Sequence, residues 1–189
     1  GGIGSGLYGM IVFAVIAMFI AGLMVGRTPE YLGKKIEPDE MKIATGIILI
    51  PIFLILVMTA AAVLTDAGRI SVFNTGPHGF SEILYAFTSA SQNNGSAFGG
   101  LSANTFFYNL TTAFCMFVGR FAPALLTLAL AGSLVQKKIV PAGEGTLVDH
   151  RPLFILWLVF VVVIIGALSF LPALALGPVI EQIILSGGI

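Results

Sequence analysis

Four long apolar stretches limit the possible folds of this chain more than any other feature. They cover residues 7–25, 43–65, 105–135 and 153–176. A helix needs about 20 mostly apolar residues to cross a hydrocarbon core of about 30 Å, so each stretch is long enough. The chain is 57% hydrophobic and only 10% charged, whereas a soluble domain typically carries about 25% charged residues. We therefore predict an all-α membrane protein.

The third apolar stretch, residues 105–135, is longer than one straight crossing requires. It contains Gly119, Arg120 and Pro123 near its centre. Proline inside a helix removes a backbone hydrogen bond and bends the helix. We therefore predict a kinked span here.

Lysine and arginine are distributed unevenly among the polar segments between these stretches. Segment 66–104 contains Arg69 alone. Segments 27–42 and 136–152 contain the other basic residues outside the spans, which are Arg27, Lys34, Lys35, Lys42, Lys137, Lys138 and Arg151. Cytoplasmic loops carry an excess of Lys and Arg, so these two segments are predicted to be cytoplasmic and 66–104 exoplasmic. Membrane lipids are the expected partners of these charges.

The exoplasmic segment combines a short apolar helix with a polar, glycine-rich stretch. Apolar residues recur at helical spacing over 79–90, and the sequence SQNNGSAFGG follows at 91–100. An apolar segment of this length is typical of a re-entrant helix or a buried helix. We predict a span–pore helix–span repeat, with a re-entrant pore helix at 79–90 and a filter loop at 91–100. Composition alone also allows an ordinary exoplasmic loop.

A loop at membrane depth must be buried in protein or line a water-filled cavity. Glycine at 95, 99 and 100 permits backbone conformations that other residues avoid. The preceding helix would direct the negative end of its dipole at the loop. Carbonyl oxygens at such a point suit a dehydrated monovalent cation. Because the stretch contains no carboxylate, a strong calcium site is not expected.

Two charged residues are candidate functional residues because of their positions in the sequence. Arg120 lies inside a predicted span, where a charge is costly unless it faces a cavity or a partner. We predict that it faces the vestibule below the loop or a partner subunit. Glu82 lies in the predicted first turn of the short helix, where it would stabilise the helix N-terminus and attract cations to the pore mouth.

Several other functions lack support in the sequence. No basic patch suggests nucleic acid as a partner. The single cysteine, Cys115, excludes an internal disulfide and a CxxC metal site. An intramembrane serine hydrolase would use Ser96 with His78 or His150 as base, but neither histidine is well placed to activate a serine at membrane depth.

Longer motifs carry a resemblance to a known family. The segments are GSGLYGM, GLMVGRTPEYLGKKIE, GPHGFSEILYAFTSA, NNGSAFGGL and LALAGSL, in this order along the chain. They resemble the potassium-binding, channel-like subunits of bacterial Kdp potassium-transporting P-type ATPases, and the chain looks like their C-terminal portion. That family is part of the superfamily of potassium transporters, which place four span–pore helix–span repeats around one pore.

The resemblance implies an assignment for each part of the chain. Residues 1–26 would be the second span of the third repeat, and 43–135 the complete fourth repeat. Residues 153–189 would be a terminal span and tail, with cytoplasmic loops at 27–42 and 136–152. One quarter of a potassium selectivity filter would be formed by Asn93, Asn94, Gly95, Ser96 and Ala97. Arg27 would take part in gating or translocation.

The resemblance also implies a function in the bacterial inner membrane. The chain would bind and translocate K⁺ as part of an ATP-driven uptake pump, with a P-type subunit that hydrolyses ATP and small accessory subunits as partners. The sequence has no GxxxxGK[ST] phosphate loop and no DKTGT segment, so no catalytic residue or ATP site is expected in this chain. A Trk/Ktr-type potassium channel-transporter is the alternative within the same superfamily.

Overall fold

Helices form most of the computed structural model, which describes residues 5–96, 98–141 and 152–187. Ala97, His150 and Arg151 lie outside the described residues. The helices are α1 (Ser5–Met24), α2 (Pro38–Leu64), α3 (Asp66–Arg69), α4 (Gly76–Ser91), α5 (Phe106–Gln136), α6 (Pro152–Leu176) and α7 (Pro178–Leu185). The predicted all-α class is confirmed.

Four of these helices, α1, α2, α5 and α6, are long and apolar enough to cross a membrane. Large apolar side chains on α5 stay exposed: Phe117 by 63%, Leu125 by 64% and Leu128 by 70%. Leaving such a side chain in water forfeits about 1.5–3 kcal/mol relative to burial. This distribution suits a helix whose surface meets lipid rather than water.

A small β-hairpin lies within the predicted cytoplasmic loop 27–42. Strands β1 (Glu30–Tyr31) and β2 (Lys34–Lys35) pair in antiparallel register. Between them, Leu32 has φ 51° and Gly33 has φ 70°. Two positive φ angles are typical of the two-residue turn that matches the twist of the flanking strands. The sequence analysis did not predict this hairpin.

Two helices begin three or more residues before the predicted segments. Helix α2 starts at Pro38 rather than at residue 43, and the backbone N–H of Glu37 donates to Glu40 Oε2 at 2.8 Å. Proline at the first position and a carboxylate that bonds back to the cap both stabilise a helix start. Helix α4 starts at Gly76 rather than at residue 79, with Pro77 in its first turn.

Helix α5 runs without interruption from Phe106 to Gln136 although it contains Pro123. Because Pro123 has no N–H, the carbonyl of Gly119 receives no helical hydrogen bond from it. The bend that we predicted at this point stays a prediction.

The chain forms two compact units. Of the described residues, unit 1 holds 50–121 and 166–187. Its core packs α4 against residues of α2 and α5, and the rings of Phe87 and Tyr108 stack with centroids 5.8 Å apart. Tyr108 also donates its hydroxyl to the carbonyl oxygen of Gly68 at 2.9 Å.

Unit 2 holds the described residues of 3–49 and 122–165. Apolar side chains of α1, α2, α5 and α6 form its core, and Trp157 Nε1 donates to the carbonyl oxygen of Ala17 at 3.0 Å. This contact ties α6 to α1.

An ionic cluster in unit 2 surrounds Glu40, which is only 2% exposed. Lys137 Nζ lies 2.6 Å from Glu40 Oε2 and 2.8 Å from Glu37 Oε2, and Ser133 donates its hydroxyl to Glu40. Burial opposes the charge on Lys137, but its hydrogen bonds to the two carboxylates outweigh burial and raise its pKa. A buried carboxylate is tolerated when it is paired in this way.

Candidate ion-binding loop after helix α4

Helix α4 ends between α2 and α5. The residues of α2 and α5 that contact it belong to unit 1. Ser91, its last residue, is 1% exposed, and its hydroxyl donates to the carbonyl oxygen of Pro51 in α2 at 3.4 Å. On the other side it meets Gly119 of α5. A Cβ on residue 119 would lie 2.8 Å from the carbonyl carbon of Ser91 and closer still to its oxygen. Only glycine fits at this position without displacing the end of α4.

These contacts lie far from the helix ends. At 1.5 Å per residue, Pro51 is about 20 Å from the end of α2 at Leu64. Gly119 is likewise about 20 Å from the start of α5 at Phe106. The carboxyl end of α4 therefore lies near the middle of α2 and of α5.

The chain reverses immediately after α4 through two left-handed residues, Asn93 with φ 56° and Gly95 with φ 73°. Asparagine and glycine are the residues that adopt this conformation most readily. The side-chain amide of Asn93 donates to the carbonyl oxygens of Ser91 and Met116, each at 3.2 Å. Asn93 thus ties the reversal to α5.

A closed set of hydrogen bonds connects α4 with the loop. Tyr85 donates its hydroxyl to Ser96 Oγ at 2.7 Å, and Ser96 Oγ donates to Asn94 Oδ1 at 3.2 Å. Ser89 donates its hydroxyl to the same amide oxygen and accepts the backbone N–H of Ser96 at 3.0 Å. We call these four side chains, Tyr85, Ser89, Asn94 and Ser96, the hydroxyl–amide circuit.

The backbone carbonyl oxygens of residues 92–96 take no part in the hydroxyl–amide circuit. Within the described part of the chain, no donor forms a hydrogen bond with the carbonyl oxygens of residues 92–96. Asn94 and Gly95 are exposed. Carbonyl oxygens need a partner when they are removed from water. A cation can supply that partner, and the negative end of the α4 dipole favours one at this point.

After the reversal the chain runs back along α4, and residues 100–102 lie beside residues 71–73, which precede α4. The backbone N–H of Phe73 donates to the carbonyl oxygen of Gly100 at 2.9 Å, and that of Ser102 donates to Ser71 at 2.8 Å. An isolated β-bridge pairs Val72 with Leu101. Helix α4 and the loop after it therefore form a compact helix–loop hairpin.

Glu82 lies where the returning loop passes α4. Its carboxylate accepts a hydrogen bond from Asn74 Nδ2 and occupies the space that a side chain on residue 100 would need. Its Oε2 is buried and has no hydrogen-bond partner among the described residues. Because α4 starts at Gly76, Glu82 lies beyond the first turn. The prediction that Glu82 stabilises the N-terminus of this helix was therefore wrong, because the interaction of a carboxylate with the helix dipole fades within one turn.

The two arginine candidates occupy different units. Arg120 belongs to unit 1, is exposed, and follows Gly119 directly, so it lies level with the end of α4. It forms no hydrogen bond or ion pair with the residues that the structure describes. Arg27 belongs to unit 2 and follows the end of α1, where Gly26 has φ 68° and the N–H of Arg27 donates to Gly22 at 2.8 Å.

The geometry around Ser96 does not support a serine hydrolase. Its hydroxyl donates to an amide oxygen, which is not a base. The ring of His78 instead faces a carboxylate, with Nδ1 at 3.2 Å from Glu181 Oε1. His150 lies outside the described residues.

Three residues of the site were missed or misjudged from sequence. Tyr85 and Ser89 are polar residues at i and i+4 of α4, a spacing that places them on one face of the helix. That pattern was the available signal. Gly119 was considered only as part of a kink, because nothing in its local sequence shows that Ser91 packs against it.

The chain matches one protein family and is similar to several curated proteins. Residues 1–183 match the family model described as KdpA, potassium-transporting ATPase A subunit. A protein of Methanoregula boonei is 73% identical over 187 residues, which cover 99% of this chain and 32% of that protein. Proteins of Sorangium cellulosum and Klebsiella pneumoniae are each 62% identical, covering 97% and 96% of this chain and 32% and 33% of their own lengths. All three are named potassium-transporting ATPase potassium-binding subunit.

The chain spans about a third of the length of these curated relatives. The comparisons do not support the predicted placement in the C-terminal portion, and they give no support to the Trk/Ktr-type alternative. Because the family model matches nearly the whole chain, the chain belongs to the potassium-transporting ATPase A subunit family.

Proposed function

We propose that α2, α4, the 92–100 loop and α5 form one span–pore helix–span repeat, and that the carbonyl oxygens of the loop line a K⁺ path. One observation carries the proposal. Helix α4 ends near the middle of two membrane-length helices, and the carbonyl oxygens that follow it have no hydrogen-bond donor among the described residues.

The lengths of the elements support a re-entrant position for α4. Helix α2 has 27 residues and is therefore about 40 Å long, close to the full thickness of a bilayer with its headgroup regions. A point about 20 Å from its end falls near the bilayer centre. Irregular backbone at that depth is tolerated only inside protein or beside a water-filled cavity, which is the setting of an ion pathway.

The available ligands favour a weakly hydrated monovalent cation. The amide nitrogen of Asn93 and the amide oxygen of Asn94 are engaged within the protein, whereas the backbone oxygens of 92–96 accept no hydrogen bond from the described residues and are available to an ion. Neutral carbonyls beside a helix C-terminus suit K⁺. The names of the relatives, which state potassium binding, agree with this choice. Ala97 completes the proposed filter segment by sequence alone.

The complete activity is proposed for a longer protein. Relatives about three times as long as this chain carry the name of a subunit of an ATPase, so this repeat would supply only part of a filter. We propose that ATP hydrolysis takes place on a separate P-type subunit, that small accessory subunits complete the complex, and that it resides in the bacterial inner membrane.

Three charged residues, Arg120, Arg27 and Glu82, belong to the proposed pathway. Arg120 lies level with the proposed filter and would face the cavity on its cytoplasmic side. Arg27 would control the cytoplasmic exit. Glu82 would act at the pore mouth by raising the local cation concentration.

The test compares two glycine variants of the full-length subunit in its complex. Gly95 and Gly187 have φ 73° and 77°, and neither has a heavy atom within 4 Å of an added Cβ. Gly95→Ala and Gly187→Ala therefore introduce the same backbone strain and the same methyl group. They differ in position, because Gly187 follows α7 and lies outside the loop.

We expect Gly95→Ala to raise the K⁺ concentration that half-activates ATP hydrolysis and to reduce K⁺/Na⁺ discrimination. A non-glycine residue in this conformation costs about 1–2 kcal/mol, which corresponds to roughly a 5- to 30-fold change. Gly187→Ala should keep the wild-type K⁺ dependence. Unchanged K⁺ dependence and discrimination in Gly95→Ala would refute the proposed filter.

A further inference from the structure

We propose that Tyr85 and Ser89 are positioning residues that set the ion discrimination of the 92–96 loop through the hydroxyl–amide circuit. This inference rests on the proposed function, since it concerns how the same loop distinguishes K⁺ from a smaller cation. Neither residue needs to touch the ion.

The three hydroxyl hydrogens of the circuit and the backbone N–H of Ser96 each have an acceptor. The hydroxyl hydrogen of Tyr85 points to Ser96 Oγ, and that of Ser96 points to Asn94 Oδ1. The hydroxyl hydrogen of Ser89 points to the same amide oxygen, while its own oxygen accepts the N–H of Ser96. These four hydrogen bonds restrain Asn94 and Ser96, because displacing either residue leaves a hydroxyl group on α4 without its partner.

The circuit joins a fixed helix to both sides of Gly95. Asn94 and Ser96 flank this left-handed residue, and both bond to side chains on α4. Ser89 is 2% exposed, so packing holds its position. Tyr85 is held at its ring, which meets Phe98 edge to face with centroids 6.1 Å apart. The spacing of the loop carbonyls is therefore set by α4 rather than by the loop itself.

A fixed spacing matters for ion choice because a smaller cation is coordinated well only if the oxygens move inward. Side-chain contacts that hold Asn94 and Ser96 oppose that movement, whereas a loop released from α4 can contract around Na⁺. The circuit should consequently affect the ratio of K⁺ to Na⁺ response more than it affects folding.

Tyr85→Phe and Ser89→Ala test this inference in the full-length subunit within its complex. The first removes one hydroxyl and keeps the ring that packs on Phe98. The second removes the group that bonds to both Asn94 and Ser96. Thr88→Ala is the matched control, because the Thr88 hydroxyl bonds within α4 to the carbonyl oxygen of Leu84 at 2.7 Å and does not reach the loop.

The measurements are ATP hydrolysis and ion uptake as functions of K⁺, Rb⁺ and Na⁺ concentration, with thermal stability measured in parallel. We expect each circuit variant to lower K⁺/Na⁺ discrimination by about 5- to 10-fold, in line with the net worth of about 1 kcal/mol for one hydrogen bond. The double variant should lose less than the product of the two, because both act on one circuit. Thr88→Ala should keep wild-type discrimination.

Two results would overturn the inference. One is wild-type discrimination in both Tyr85→Phe and Ser89→Ala. The other is a loss of thermal stability in Tyr85→Phe with its discrimination unchanged. Gly95→Ala, measured together with Tyr85→Phe and Ser89→Ala, distinguishes a wrong role for Tyr85 and Ser89 from a wrong assignment of the filter. If Gly95→Ala alters K⁺ dependence while both circuit variants do not, the loop binds K⁺ and only the role of Tyr85 and Ser89 is wrong.

Discussion

Replacing Gly119 with alanine should displace the end of the proposed pore helix. The new Cβ would lie 2.8 Å from the carbonyl carbon of Ser91, whereas two carbon atoms in contact are normally about 3.5–4.0 Å apart. The atoms that it meets are backbone, so no side chain can simply rotate away. Helix α4 and α5 must therefore separate by about 1 Å at this point.

The energetic cost can be estimated from the same contact. Overpacking of a tight interior typically costs about 1–3 kcal/mol. If this strain falls on the ion-binding conformation, apparent K⁺ affinity should decrease roughly 5- to 150-fold. Alanine also favours a helix over glycine by about 1 kcal/mol, so part of the loss in overall stability will be offset.

Gly132→Ala is the matched control. It changes the same residue type on the same helix, and no heavy atom lies within 4 Å of the added Cβ. The assay is K⁺-dependent ATP hydrolysis by the complex that contains the full-length subunit. We expect a large rise in the half-activating K⁺ concentration for Gly119→Ala and little change for Gly132→Ala. Equal K⁺ dependence in the two variants would refute the close packing of Ser91 on α5.

The remaining predictions concern charged residues. Lys137→Met removes the counter-ion of the buried Glu40 carboxylate, which should destabilise the protein by about 3–5 kcal/mol although Ser133 still donates a hydrogen bond to it. Thermal unfolding should show this loss, whereas Lys138→Met, at an exposed residue, should unfold near the wild-type temperature. Arg120→Met should change apparent K⁺ affinity or turnover severalfold, and unchanged uptake kinetics would remove Arg120 from the pathway. Arg27→Gln should impair uptake relative to ATP hydrolysis, and unaltered coupling between the two would contradict its role.

The architecture could be predicted from sequence where it depends on local composition. Residues 7–25 and 153–176 are uniformly apolar over a membrane-spanning length, and the corresponding helices α1 and α6 form there. The start of α2 at Pro38 was missed because the charged segment EPDE was assigned to a loop. Its Pro38 and Glu40 are in fact typical of a capped helix start.

The position of the candidate site could be predicted from sequence, but its contacts with the rest of the protein could not. Helical spacing over 79–90 followed by a polar glycine-rich stretch identified the loop, and the left-handed conformation of Gly95 agrees with the need for glycine there. The partners of the loop were beyond sequence reasoning. The contact of Ser91 with Gly119 and the bond from Asn93 to Met116 join residues far apart in the chain, and periodicity carries no information about such pairs.

Anomalous scattering from Rb⁺ or Tl⁺ bound to the full-length protein tests the central claim most directly. Both ions substitute for K⁺ and can be located without assuming a site. The account predicts a peak in contact with backbone carbonyl oxygens of residues 92–96, which Gly95→Ala weakens and Gly187→Ala leaves unchanged. Ion peaks that lie along the pathway without touching this loop would contradict it.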